Sequence, residues 1–168
     1  MSVFDELLAI KRFREGQAEI AVSRQRLRHA EADAARRASE AALASFRNEA
    51  VRHEQALYRD LCSRVVRVRE IETVLQDVAG LREGERRHEQ AVEAAGRRLD
   101  EEAQALAVSR QQHQLAVRLT GKFVELARIH LDEHMKALEQ KEDLEMEEAA
   151  SVSRDREDWE QHEEFEPA

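Results

Sequence analysis

The residues best suited to chemistry in this chain lie in His130-Leu131-Asp132-Glu133-His134. Two histidines four apart share one face of a helix, with carboxylates beside them. Zinc uses such a pair when further ligands are near. The HExxH order is absent and no further ligand is evident nearby, so both histidines are read as polar positions on a helix seam and no metal is assigned. Arg110 and His113 are read the same way, since polar seam residues fix alignment at a cost in stability. Thr120-Gly121-Lys122-Phe123 has the Gly-Lys pair of a phosphate loop. It lacks the first glycine of G-x-x-x-x-G-K-[ST], has Phe123 where Ser or Thr must stand, and falls within a helical pattern rather than after a strand. Nucleotide binding is rejected. Cys62, with Arg64 nearby, has some features of a reactive thiol, but an ordinary free cysteine is the simpler reading. No Ser, His and Asp set has an implied geometry. The chain is read as a non-enzyme without cofactor.

The elements available to hold these residues are helices. No proline precedes Pro167, and the 168 residues include only five glycines: Gly16, Gly80, Gly84, Gly96 and Gly121. Proline and glycine are the strongest breakers of regular structure, so little forces the chain to turn. Charged residues make up 38% and aromatic residues only 4%, which describes exposed helices without a deep interior. A dry, shaped pocket has nowhere obvious to sit. With Cys62 as the only cysteine, an intramolecular disulfide is impossible, which fits a reducing compartment. Met-Ser-Val-Phe-Asp-Glu-Leu-Leu does not read as a signal peptide, and no apolar run approaches the length of a membrane span. A soluble cytoplasmic protein without membrane insertion is expected.

The net charge of −9 is unevenly placed. Residues 139–168 hold 13 acidic and 3 basic side chains, and the other 138 residues hold 23 acidic and 24 basic. A balanced body with an acidic tail argues against nucleic acid, which requires a basic footprint.

Ser2 caps a first helix over residues 3–62, with Asp5 and Glu6 in its first turn. Leu7, Ile10, Phe13, Ile20, Leu27, Ala30, Ala34, Ala38 and Ala41 form its apolar stripe, weak where alanine dominates. A phase slip follows near Ala41–Leu43, after which Leu43, Phe46, Ala50, His53, Leu57 and Leu61 resume the seam. Two turn sites compete. Cys62 to Arg69 holds three valines in four positions and is the poorest helix-forming stretch of the body; Gly80 to Gly84 has two glycines. A second helix over 70–150 opens on Ile71, Leu75 and Val78. Its heptads read Val92, Leu99, Leu106, His113, Thr120, Ala127 and His134 at one position, with Gly96, Ala103, Arg110, Val117, Val124, Leu131 and Leu138 as the partner row. The expected fold class is all-α, two long helices forming an antiparallel coiled-coil hairpin, a shaft of roughly 90–100 Å at about 1.5 Å per residue. Leu115, Leu119, Phe123, Leu126 and Ile129 add a second stripe. It either folds over Phe4, Leu8 and Phe13 or forms a face for another protein. Residues 151–168 are read as a frayed or disordered acidic tail in which Trp159 and Phe165 stand out.

Three short segments, in order and at matching spacing, carry a resemblance to a known family. Leu8-Ala9-Ile10-Lys11-Arg12-Phe13-Arg14 followed by Ala18-Glu19, then Leu81-Arg82-Glu83-Gly84-Glu85, then Lys122-Phe123-Val124-Glu125-Leu126 resemble the type III secretion central stalk proteins, the YscO/FliJ-like family. The resemblance runs nearly end to end and includes the acidic, Gln- and His-containing end. It implies an antiparallel two-helix hairpin like the shaft of a rotary ATPase, monomeric in isolation and peripheral to the secretion apparatus at the inner membrane. The implied partners are the hexameric secretion ATPase, the nonameric cytoplasmic domain of the export gate, and export chaperones. It also places the turn before Ile71-Glu72-Thr73-Val74-Leu75, favouring the Cys62–Arg69 site. The end holding both termini would enter the ATPase through Leu7, Ile10, Lys11 and Arg14 and, opposite, Phe123 and Leu126. The gate would meet Leu57, Leu61, Leu75, Val78 and His88. Two readings compete with the stalk: a generic coiled-coil scaffold or adaptor, and a holding chaperone using the 115–131 face.

Overall fold

The computed structural model describes residues 2–163, which form two helices: α1, Val3–Ser63, and α2, Val68–Glu163. The two pack as an antiparallel hairpin. Two compact units can be distinguished, Met1–Arg14 with Ala116–Ala168, and Glu15–Leu115.

α1 begins as Ser2 and Asp5 dictate. The Asp5 backbone N–H donates to Ser2 Oγ at 3.3 Å while the Ser2 N–H donates back to Asp5 Oδ2 at 3.1 Å. This reciprocal capping satisfies donors that a helix start otherwise leaves unpaired.

Among the described residues the chain leaves the helix only at residues 64–67, inside the valine-rich stretch. Gly80 and Gly84 lie within α2. The connection uses no residue of positive φ and is held by charge instead. Arg64 donates to Glu70 Oε1 at 2.9 Å and Asp60 Oδ2 at 3.2 Å, and the Arg67 N–H donates to Glu70 Oε2 at 2.7 Å. Glu70 thereby caps the start of α2 and ties it to the end of α1. Gly84 is needed for packing: a Cβ there would meet Phe46 Cζ at 2.5 Å.

In the 15–115 unit the helices meet along a seam whose α1 side is Glu15, Ala18, Val22, Gln25, His29, Ala32, Arg36, Ser39, Leu43, Phe46 and Ala50, all half-buried or buried. Their spacing alternates three and four without interruption. The expected slip near Ala41–Leu43 is therefore absent, and the expected stripe of Ile20, Leu27, Ala30, Ala34, Ala38 and Ala41 faces solvent. On α2 the row Val92, Leu99, Leu106 and His113 lies in the seam as read. Its partner row is one residue earlier than expected, at Ala95, Glu102 and Ser109, which leaves Ala103 and Arg110 exposed. Small and polar side chains let the helix axes come close, and polar groups then find partners across the seam. Gln25 Nε2 donates to the Glu102 carbonyl at 3.3 Å and to Glu102 Oε2. Arg47 forks onto Glu85 and Glu89 at 2.9 Å each, and Arg82 meets Glu54. Among the described residues, Val22, Ala32, Leu43, Val74 and Leu106 are the buried apolar positions, and no large side chain is wholly enclosed.

In the other unit, Phe4, Leu8 and Lys11 face Ala116, Thr120, Phe123 and Ala127, while Val117, Val124, Leu131 and Leu138 of the expected partner row are exposed. Every residue from Arg128 through His162 is exposed, His134 among them. The helix does not end near 150 as expected. With no glycine beyond Gly121 and no proline before Pro167, nothing breaks it, and it continues through Glu163. Phe165 lies outside the described residues. No helix of the described residues is long and apolar enough to cross a membrane.

Candidate interaction surfaces

The first candidate set lies in the unit that contains residues 2–14. Lys11 places Nζ 5.2 Å from the centroid of the Phe123 ring, a cation–π distance. Thr120 locks the same level: its hydroxyl lies 2.9 Å from the Ala116 carbonyl and 3.4 Å from the Lys11 carbonyl. Phe4 stacks on His130 with ring centroids 4.9 Å apart. Of the six residues expected to contact the ATPase, Lys11 and Phe123 are thus brought together, and Leu7, one turn before Lys11, is half-buried. Ile10, Arg14 and Leu126 point outward. The second stripe divides: Leu119 and Phe123 are half-buried, whereas Leu115, Leu126 and Ile129 stay exposed. Phe13, expected beneath that stripe in one reading, is 67% exposed.

An open groove beside α1's first turn is lined by Ser2, Asp5, Arg128, His130, Leu131 and His134. The Asp5 carboxyl is held below its usual value of 3.8, chiefly by the hydrogen bond from the Ser2 side chain and then by that from the Ser2 backbone. Among the described residues no group of three His, Cys, Asp or Glu side chains is placed to hold a metal.

The second candidate set lies in the 15–115 unit. Leu57, Leu61 and Val78 are half-buried in the seam, Leu75 is 56% exposed, and His88 stacks on Phe46 with centroids 4.7 Å apart. The Phe46–Gly84–His88 cluster and the Arg47 fork escaped the sequence reading. Gly84 was the available signal, since a glycine inside a helical pattern that continues past it marks a close approach.

The family model for the type III secretion protein YscO matches residues 4–152. A 2.8 Å crystal structure of the type III secretion protein YscO from Vibrio parahaemolyticus is similar over most of its length. It has 30% identity, a TM-score of 0.82, and the match covers 86% of this chain and 91% of that one. No curated protein sequence matches the chain. The two matches agree with each other and with the helical hairpin, and the chain belongs to the YscO family of type III secretion proteins.

Proposed function

We propose that this chain is the central stalk of its secretion system, linking the hexameric ATPase to the nonameric export gate and able to engage export chaperones. In this reading Leu7, Ile10, Lys11, Arg14, Phe123 and Leu126 meet the wall of the ATPase ring, and Leu57, Leu61, Leu75, Val78 and His88 turn towards the gate. The observation that carries it is the surface of the unit containing residues 2–14. There both helices keep apolar side chains outside their shared seam: Ile10 and Phe13 on α1, Val124, Leu126 and Ile129 on α2. A helix pair with no other partner needs one apolar seam. Apolar side chains on several sides suit a pair surrounded by protein.

The mechanism is allosteric. An asymmetric helix pair inside a ring favours one arrangement of its catalytic sites, and coupling requires that it contact two ring states differently. The test is co-purification with the secretion ATPase, followed by ATP hydrolysis measured with and without the chain. The expected result is a stable complex and a changed hydrolysis rate. Ile10→Asp with Leu126→Asp should weaken binding about tenfold or more, because two apolar contacts are replaced by desolvated charges. No complex and no rate change would sink the reading.

A further inference from the structure

α1 carries two seams, and α2 covers only one of them. Phe13, Ile20 and Leu27 turn away from α2 and are 67%, 45% and 61% exposed. They stand seven residues apart, and Ala34 continues the row. Beside it runs a second row at the same interval: Ala9, Gly16, Ser23 and Ala30. Together these residues alternate by four and three from Ala9 to Ala34 without one charged side chain. Gly16 is half-buried and the others are exposed. α1 is one unbroken helix here, so the two rows form a continuous strip with coiled-coil spacing, roughly 35–40 Å long.

The strip's own pattern indicates what covers it. One row holds large side chains where the other holds small ones. A second copy of α1, laid antiparallel about a two-fold axis, sets Phe13 opposite Ala30, Ile20 opposite Ser23, Leu27 opposite Gly16 and Ala34 opposite Ala9. Each layer then takes one residue from each row, so large side chains meet small ones. A parallel copy would stack Phe13 on Phe13 and Gly16 on Gly16. The flanking charges fit the same arrangement. Along one flank Arg12 meets Asp33 of the second copy and Glu19 meets its Arg26, and the two-fold axis repeats both pairs. Along the other, Gln17 meets Arg24 and Ile10 meets Glu31, so no like charges face each other. Among the described residues Arg12, Glu19 and Arg26 have no ion-pair partner within the chain. Flanking charges of this kind set partner and orientation.

We propose that the Ala9–Ala34 strip of α1 is the interface of a reversible antiparallel dimer of this chain. The dimer departs from the monomer that the resemblance implies. None of the strip's residues is among the six assigned to the ATPase, so the proposal stands independently of the stalk reading. With three large side chains per copy the interface is small, and the dimer is of the weak, transient class.

The test is sedimentation equilibrium of the full chain under reducing conditions, at concentrations from about 1 µM to about 1 mM. The mean mass should rise from one chain towards two. Ile20→Ser with Leu27→Ser, both at exposed positions, should weaken association about tenfold or more while leaving the thermal midpoint of the dilute protein in place. Glu19→Lys should weaken it about threefold or more, and Glu19→Lys with Arg26→Glu should restore it. That restoration is specific to the antiparallel pairing, because a parallel pair sets Glu19 against Arg24 and Arg26 against Glu31, and the double exchange would leave both repulsive. Three results would overturn the proposal: a single-chain mass at every concentration, equal association by the serine variant, or no recovery in the double exchange.

Discussion

Gly84 shows how one missing atom sets a local fit. The Phe46 ring occupies the space a Cβ would fill, and His88 stacks against that ring. Elsewhere in a helix, glycine to alanine is favourable, because alanine is the better helix former. Gly80, with nothing within 4 Å of its would-be Cβ, is such a site. Gly80→Ala is expected to stabilise by about 0.5–1 kcal/mol. Gly84→Ala is expected to destabilise by about 1 kcal/mol, the displacement of Phe46 outweighing the propensity gain. Chemical denaturation of the two variants should therefore move the midpoint in opposite directions. Two changes of the same sign would remove the packing role assigned to Gly84.

The helices themselves show what their sequences disclose and what they conceal. The helical character of both segments was legible because proline and glycine are so few, while the turn was narrowed only to the valine-rich stretch or Gly80–Gly84 until the resemblance favoured the first. The choice of seam was not. Phe13, Ile20 and Leu27 are large apolar residues of the first half of α1 and look like part of its core, yet they are 67%, 45% and 61% exposed. The seam instead takes Ala18, Val22, Gln25 and Ala32. A single helix read alone carries two usable faces, and the partner decides between them. Here the small-residue face allows close approach, and Gln25 finds Glu102 across it. The same reason displaced the α2 partner row by one residue. The resemblance set Phe123 and Leu126 opposite Leu7, Ile10, Lys11 and Arg14, and only the coordinates pair Phe123 with Lys11 in particular. The ends of the helices depend on carboxylates. Asp5 and Glu70 sit below their ordinary values of 3.8 and 4.5, Glu70 chiefly through the Arg67 N–H and then through Arg64. A carboxyl depressed by folding contributes above its unfolded value and loses that contribution as pH falls through the folded one. Protection of the first-turn amides of both helices should therefore weaken as pH falls below the ordinary values of 4.5 and 3.8 and on through the lowered ones. Glu70→Gln should abolish that dependence at α2 alone. If protection in α2 falls equally in that variant, the cap does not rest on this carboxylate.

At the scale of the molecule, charge and folding are separate. The segment after Leu138 carries a net charge of −10, and its described residues through His162 are all exposed. The rest of the chain is nearly neutral and holds every inter-helix hydrogen bond of the described residues. Ending the chain after Leu138 should leave the unfolding free energy within about 0.5 kcal/mol of the full protein, while the net charge rises from −9 to +1. Thermal unfolding and native electrophoresis would read the two effects separately. A large loss of stability would mean that the acidic extension supports the helix pair.

The turn at 64–67 also sets the order in which the molecule can assemble. Arg64 reaches Glu70 across six residues, Arg82 reaches Glu54 across 28, and Arg47 reaches Glu85 across 38. Gln25 reaches Glu102 across 77, and Thr120 meets the Lys11 carbonyl across 109. Loop closure costs more as the loop lengthens, and short-range contacts form first. The chain therefore closes like a zip fastened at Arg64. By loop length alone, the Lys11–Thr120 level closes after the levels nearer the turn.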